Sequence, residues 1–210
     1  MKKTIFLLLS ITTFASASVV TISNIADQDT SAVLLDNAFN PIASDGAFIH
    51  IGFFGDVATE GADAANFAST FTSFTSGAIS NSLAGGFLEQ NFDGPTINAT
   101  SPFLGLPVSV IVTDSADLAS SSQYAAFSTT SIFQADVQSI DNATPTAGLL
   151  TSNAVFGTVT SGSFEREVAS PFGTQTQVFT SGVALTAIPE PSSALLAGLA
   201  LVGGLVRRRR

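Results

Sequence analysis

Apolar and polar residues alternate over short stretches through most of this chain, and turn residues separate the stretches at close intervals. The clearest stretch follows Ser44-Asp45-Gly46, where Ala47, Ile49, Ile51 and Phe53 alternate with Phe48, His50, Gly52 and Phe54. A period of two puts the first set on one face of a strand, and that face is wholly apolar. His50 falls on the opposite face, as a half-exposed strand residue. Residues 107–113 form a second β run. Further short strands are predicted at 19–23, 33–35, 87–92, 95–99, 124–128, 154–160 and 176–187, bounded by Gly, Asn, Asp and Pro. Two segments change period. Ala64, Phe67, Phe71 and Phe74 fall at helical spacing and predict a short amphipathic helix over 63–74, with a strand as the alternative given its Thr and Ser content. Asp114 or Ser115 caps a helical turn over 116–121. Many short strands and few helices predict a mainly β fold, an antiparallel β-sandwich or barrel-like single domain with one or two short helices.

The two ends follow different patterns. Lys2 and Lys3 precede an apolar stretch over 5–14, and Ala15-Ser16-Ala17 supplies small residues at the positions a signal peptidase requires. Residues 1–17 therefore read as a signal peptide, with Ala15 and Ala17 setting cleavage before Ser18. At the other end, Pro189-Glu190-Pro191 leads into an apolar helix over 192–206, and Arg207, Arg208, Arg209 and Arg210 close the chain. The prolines keep residues 188–191 extended, without N–H groups for a ladder. The helix would rise about 22 Å against a hydrocarbon core of about 30 Å. It is a modest anchor, weakened by Gly198, Gly203 and Gly204, with the arginines held on the cytoplasmic side.

This order of Pro-Glu-Pro, short apolar helix and terminal arginine block resembles the PEP-CTERM signal. The resemblance covers only the C-terminal tail, 188–210, and leaves 18–187 as an acidic β-rich ectodomain. It implies a bacterial envelope protein handled by exosortase, a membrane protease-transferase that cuts near the Pro-Glu-Pro. The expected partners are signal peptidase, an exosortase-like protease, the membrane before processing, and extracellular polysaccharide of a biofilm matrix. The expected route is export, transient anchoring in the inner membrane, then the cell surface or extracellular matrix.

Charge sharpens the picture. Of the 7 basic residues, only Arg166 lies outside the two targeting segments; of the 16 acidic residues only Glu190 lies in the tail, which leaves 15 and a formal charge of −14 on 18–187. Such a surface repels nucleic acid and anionic lipid. There are 0 Cys, so neither disulfides nor thiol chemistry enters. With 18 Phe against 1 Tyr and 0 Trp, the aromatic rings suit a core better than a sugar-binding face.

Little catalytic chemistry is visible. His50, the single histidine, has no Cys, no ectodomain lysine and no G-x-S-x-G motif to work with. Glu165 and Glu167 flank Arg166, and strand spacing puts both acids on one face and the arginine on the other, as on a solvated hairpin. Asp27, Asp29, Asp36, Asp114, Asp117, Asp136, Asp141 and Asn142 supply hard oxygen ligands, yet no segment matches a calcium-binding loop. Asn98-Ala99-Thr100 and Asn142-Ala143-Thr144 fit the N-glycosylation pattern, as chance allows in such a composition. The expectation is a non-enzymatic envelope or matrix protein without catalytic, cofactor-binding or metal residues. Its rivals are a carbohydrate-active enzyme using paired carboxylates and a calcium-dependent adhesion module.

Overall fold

The structure is a computed structural model that describes residues 18–55, 70–80, 84–136, 146–171 and 173–188. The signal segment 1–17, the first part of the expected helix, the Asp141-Asn142 loop and the tail from Pro189 onward lie outside the described residues. Among those described, the chain forms twelve strands: β1 (Ser18–Ser23), β2 (Val33–Leu35), β3 (Phe48–Phe54), β4 (Phe71–Ala78), β5 (Glu89–Gly94), β6 (Pro107–Thr113), β7 (Gln123–Ile132), β8 (Thr146–Gly148), β9 (Ala154–Phe156), β10 (Thr158–Ser170), β11 (Gly173–Ala184) and β12 (Thr186–Ala187). The fold is mainly β, as the alternating pattern predicts.

The strands build three sheets, ordered β5-β1-β8, β10-β11-β2 and β12-β7-β6-β3-β4, with β9 also pairing β7. None closes into a barrel. Most pairings are antiparallel, but two are parallel: β1 with β8, which sets Ile22 beside Ala147, and β2 with β11, which sets Leu34 beside Val183. These parallel contacts join segments far apart in the chain, and no local pattern announces them.

The main core lies on one face of the largest sheet. Ile49 and Ile51 of β3 stand beside Val112 and Val110 of β6, which in turn face Ala125 and Phe127 of β7. Val20 and Ile22 of β1, Leu34 of β2 and Val183 of β11 pack into the same cluster. The phenylalanines act as core filler. Phe74, Phe103 and Phe133 form a triangle with centroids 5.0 to 5.4 Å apart, and Phe53 adds an edge contact to Phe103 at 5.6 Å. Offset and edge-on contacts of this kind add to the burial of the rings themselves.

Three expectations are corrected. The described part of the expected helix over 63–74 is strand: from Phe71 onward it forms β4 and pairs along β3. A spacing of three fits a helix, but it also puts two residues on opposite faces of a strand. Phe71 joins the cluster on one face of the sheet and Phe74 the cluster on the other. A register shift between Ile51 and Gly52 accommodates the extra residue, and the Thr and Ser between the rings favour the extended chain. The expected helical turn over 116–121 is a single 3₁₀ turn at Leu118–Ser120, capped by Asp117 rather than by Asp114 or Ser115. A second 3₁₀ turn at Thr151–Asn153 had no sequence signal.

The third correction concerns His50, which is only 4% exposed. The face it shares with Ile111 is itself covered, by a cluster of Phe71, Ile111, Tyr124 and Ala126 with Phe54, Leu118, Phe156 and Ile188 packed on it. The alternating pattern finds one buried face. It does not show that the second face is buried as well.

Candidate functional site

The residues expected to act in processing flank the folded domain, so the sites of interest are the places where the chain enters and leaves it. At the exit, β11 runs into Leu185, which is buried and donates its N–H to the Leu35 carbonyl at 2.9 Å. β12 then pairs with β7, Thr186 opposite Tyr124 and Ala187 opposite Gln123. Ile188 extends this pairing by one bond, its N–H donating to the Ser122 carbonyl at 2.8 Å. Two residues beyond Thr186, it takes the same face of the sheet. Its side chain packs on the cluster around Tyr124, whose ring stacks on Phe156 with centroids 4.0 Å apart. The next residue, Pro189, has no N–H to carry the ladder on. The folded domain thus holds the chain up to the last residue before Pro-Glu-Pro.

The acceptor of that last bond is itself held in place. Asp114 Oδ1 accepts from the backbone N–H groups of Ser122 and Gln123 at 2.9 and 3.2 Å, and its Oδ2 takes a short hydrogen bond from the Ser122 hydroxyl. The loop between β6 and β7 is braced further by Asp117, which accepts from Ala119 N–H at 3.1 Å, and by Ser115, whose hydroxyl lies 3.1 Å from that of Ser120. His50 closes the network from below. Its Nε2 lies 3.0 Å from Thr113 Oγ1, and the Thr113 hydroxyl donates to the Ser115 carbonyl at 2.7 Å. That carbonyl uses the single Thr113 proton, so Thr113 accepts and His50 carries its proton on Nε2. Burial pushes the His50 pKa down, more than the Ser115 carbonyl and the Asp117 charge raise it. The imidazole is therefore a neutral buried brace.

Among the described residues the carboxylates do not converge. Asp27 accepts from the N–H groups of Asp29 and Thr30 at 2.7 and 3.1 Å, and these bonds hold its carboxyl below the usual range. Asp36 is lowered likewise, chiefly by the Asn40 N–H at 2.8 Å. Each is a local turn cap, as are Asp114 and Asp117. Among the described residues, no group of three or more His, Asp or Glu side chains is placed to hold a metal ion. Asp141 and Asn142 lie outside those residues. Glu165 and Glu167 are exposed on β10 while Arg166 is half-buried opposite Gln177, the arrangement their spacing predicts. Among the described residues, the Arg166 Nε and Nη1 atoms have no hydrogen-bond partner.

Two polar centres join segments that the sequence does not connect, one of them built on Asp136, a candidate cation ligand by composition. Asn24, 1% exposed, donates its amide to the carbonyls of Ala32 and Gly86, both at 2.8 Å, and accepts from Leu88 N–H at 2.6 Å. Asp136 accepts from the Ser18 hydroxyl and the Ile97 N–H. Each ties together segments distant in sequence, so no local spacing marks out the junction.

The signal residues Ala15 and Ala17, and Pro189, Glu190, Pro191 and Arg207, Arg208, Arg209 and Arg210, all lie outside the described residues. No helix among the described residues is long and apolar enough to cross a membrane. No curated protein and no solved structure matches the chain. Its C-terminus does match a family model, and the match begins at Ala187, inside β12. Residues 187–210 carry the PEP-CTERM protein-sorting motif, which implies export, a surface or extracellular destination, and processing by the membrane protease exosortase.

Proposed function

We propose that this is an exported bacterial envelope or matrix protein with a non-enzymatic, structural or adhesive role, sorted by exosortase through its tail. The observation that carries this reading is the PEP-CTERM match at 187–210. The exit geometry supports it: residues up to Ile188, where the described residues end, are bonded to the sheet, so cleavage near Pro189-Glu190-Pro191 would leave every described strand intact. On this reading the apolar run over 192–206 and the four arginines keep that segment at the membrane until it is cut. Apolar clusters on both faces of the largest sheet support a layered, sandwich-like domain. An acidic domain in which Asp27, Asp36, Asp114 and Asp117 cap its own turns suits a passive surface or matrix component, with extracellular polysaccharide as its expected partner.

The test is fractionation of the native host, with mass spectrometry of the mature C-terminus. The expected product ends near the Pro-Glu-Pro and lies at the surface or in the matrix. A mature protein that retains all four arginines in the inner membrane would replace the sorting tail with a simple anchor. Turnover by the purified protein of any member of a polysaccharide panel would overturn the non-enzymatic role.

A further inference from the structure

Cleavage after Ala17 would create an α-amino group at a position that the structure describes and buries. Ser18 is 5% exposed, begins β1 and pairs with Gly94 of β5. Its hydroxyl lies 2.6 and 2.7 Å from the two carboxylate oxygens of Asp136. The same carboxylate accepts from the Ile97 N–H at 2.9 Å, and the Asp136 N–H donates back to the Ile97 carbonyl at 2.8 Å. The Ile97 N–H also lies 3.1 Å from Ser18 Oγ. Three segments distant in sequence therefore meet at the one residue that signal removal turns into a chain end.

We propose that Asp136 is the receptor for the processed N-terminus, its carboxylate forming an ion pair with the Ser18 α-ammonium. Covalent geometry keeps a serine nitrogen within about 4 Å of its own Oγ, so the new charge forms within about 6 Å of the carboxylate. At that range an opposite charge favours the ionised amine. Before cleavage the same nitrogen is a neutral amide and offers Asp136 no charge. Signal removal thus adds an interaction that fastens β1, a central strand of its sheet, to the segment that follows β7. Competition is slight. Among the described residues, Asp93, next to Gly94 on β5, opposite Val19 and exposed, is the other carboxylate of this strand end. Lys2 and Lys3 leave with the signal, and the sequence holds no other lysine.

The proposal rests on the signal-peptide reading, and one experiment separates the two. The absence of lysine from 18–210 makes the Ser18 α-amine the sole primary amine of the mature chain. Mass spectrometry of the exported protein first identifies its N-terminus. Acylation by an amine-reactive ester, followed against pH, then reads the pKa of that one amine. The expected inflection is about one unit above the ordinary range of about 7.7–8.0, and Asp136→Asn returns it to that range. The stabilisation follows the same sign. A raised folded pKa gives stability that is full below the ordinary amine pKa and is lost as pH rises through the folded value. Wild-type protein acetylated at Ser18 should therefore melt below unmodified protein at pH 7, with the gap closing above the raised pKa. This comparison needs no substitution, so it decides the matter even where Asp136→Asn fails to fold. An N-terminus other than Ser18 sinks the signal reading and the proposal together. A Ser18 amine that titrates in the ordinary range, with equal melting of acetylated and free protein, sinks the proposal alone.

Discussion

Ile188 donates its backbone N–H to the carbonyl of Ser122 at 2.8 Å, and this bond holds a residue of the sorting motif on the sheet. The family match starts at Ala187, so the motif and the last strand overlap. The start of the sorting motif is therefore part of the edge strand of the largest sheet.

Substitutions on either side of this boundary should separate folding from sorting. Ile188→Asp puts a charge against Tyr124 and its neighbours and should lower stability by about 1–3 kcal/mol. Glu190→Ala should leave ectodomain melting unchanged while full-length precursor accumulates in the membrane fraction. Thermal denaturation and immunoblotting of fractions read the two effects. Normal processing of both Glu190→Ala and a chain lacking Arg207, Arg208, Arg209 and Arg210 would refute the sorting role.

His50 should give the domain a pH dependence on the mildly acidic side. Its folded pKa is lowered from 6.5, so stability is constant above that value. As pH falls below 6.5 the unfolded chain takes up the proton first, and stability declines until the folded pKa is reached. His50→Gln keeps an amide donor for Thr113 and should flatten this slope. Urea melts of both proteins between pH 7 and pH 5 would show it, and an unchanged slope in the variant would assign the effect to other groups.

Asn24 should tolerate no simple replacement. Asn24→Ala removes three buried hydrogen bonds and strands the Leu88 N–H, at a cost of about 2–4 kcal/mol. Asn24→Asp should cost more at neutral pH, because a carboxylate oxygen then faces the carbonyls of Ala32 and Gly86. Lowering the pH should recover part of the loss for Asn24→Asp and none for Asn24→Ala. Denaturant midpoints at two pH values check both.

Gly52 sits at the register shift between β3 and β4, where an added Cβ would overlap the Thr72 carbonyl oxygen and press on the Phe71 ring. Backbone must move to admit it. Gly52→Ala should therefore cost about 1–3 kcal/mol, although the backbone there needs no special conformation. Equal melting temperatures for variant and wild type would show that the bulge can shift without strain.

The sequence by itself determined the features that repeat locally or sit at an end. Alternation of Ile49, Ile51 and Phe53 determined a buried strand face, since side-chain direction in a strand depends only on parity. Composition determined a phenylalanine core, and the tripartite tail determined the sorting signal. Only the tertiary structure decided what depends on partners distant along the chain. The free edge of β3 decided that Phe71 and Phe74 belong to a strand, because their spacing satisfies either geometry. The loop between β6 and β7, with the cluster around Tyr124, decided that His50 is buried, a fact about a second layer that its own strand cannot encode. Asn24 and Asp136 are the plainest cases. Each is an ordinary polar residue in the sequence, and each becomes a junction because folding closes long loops onto it.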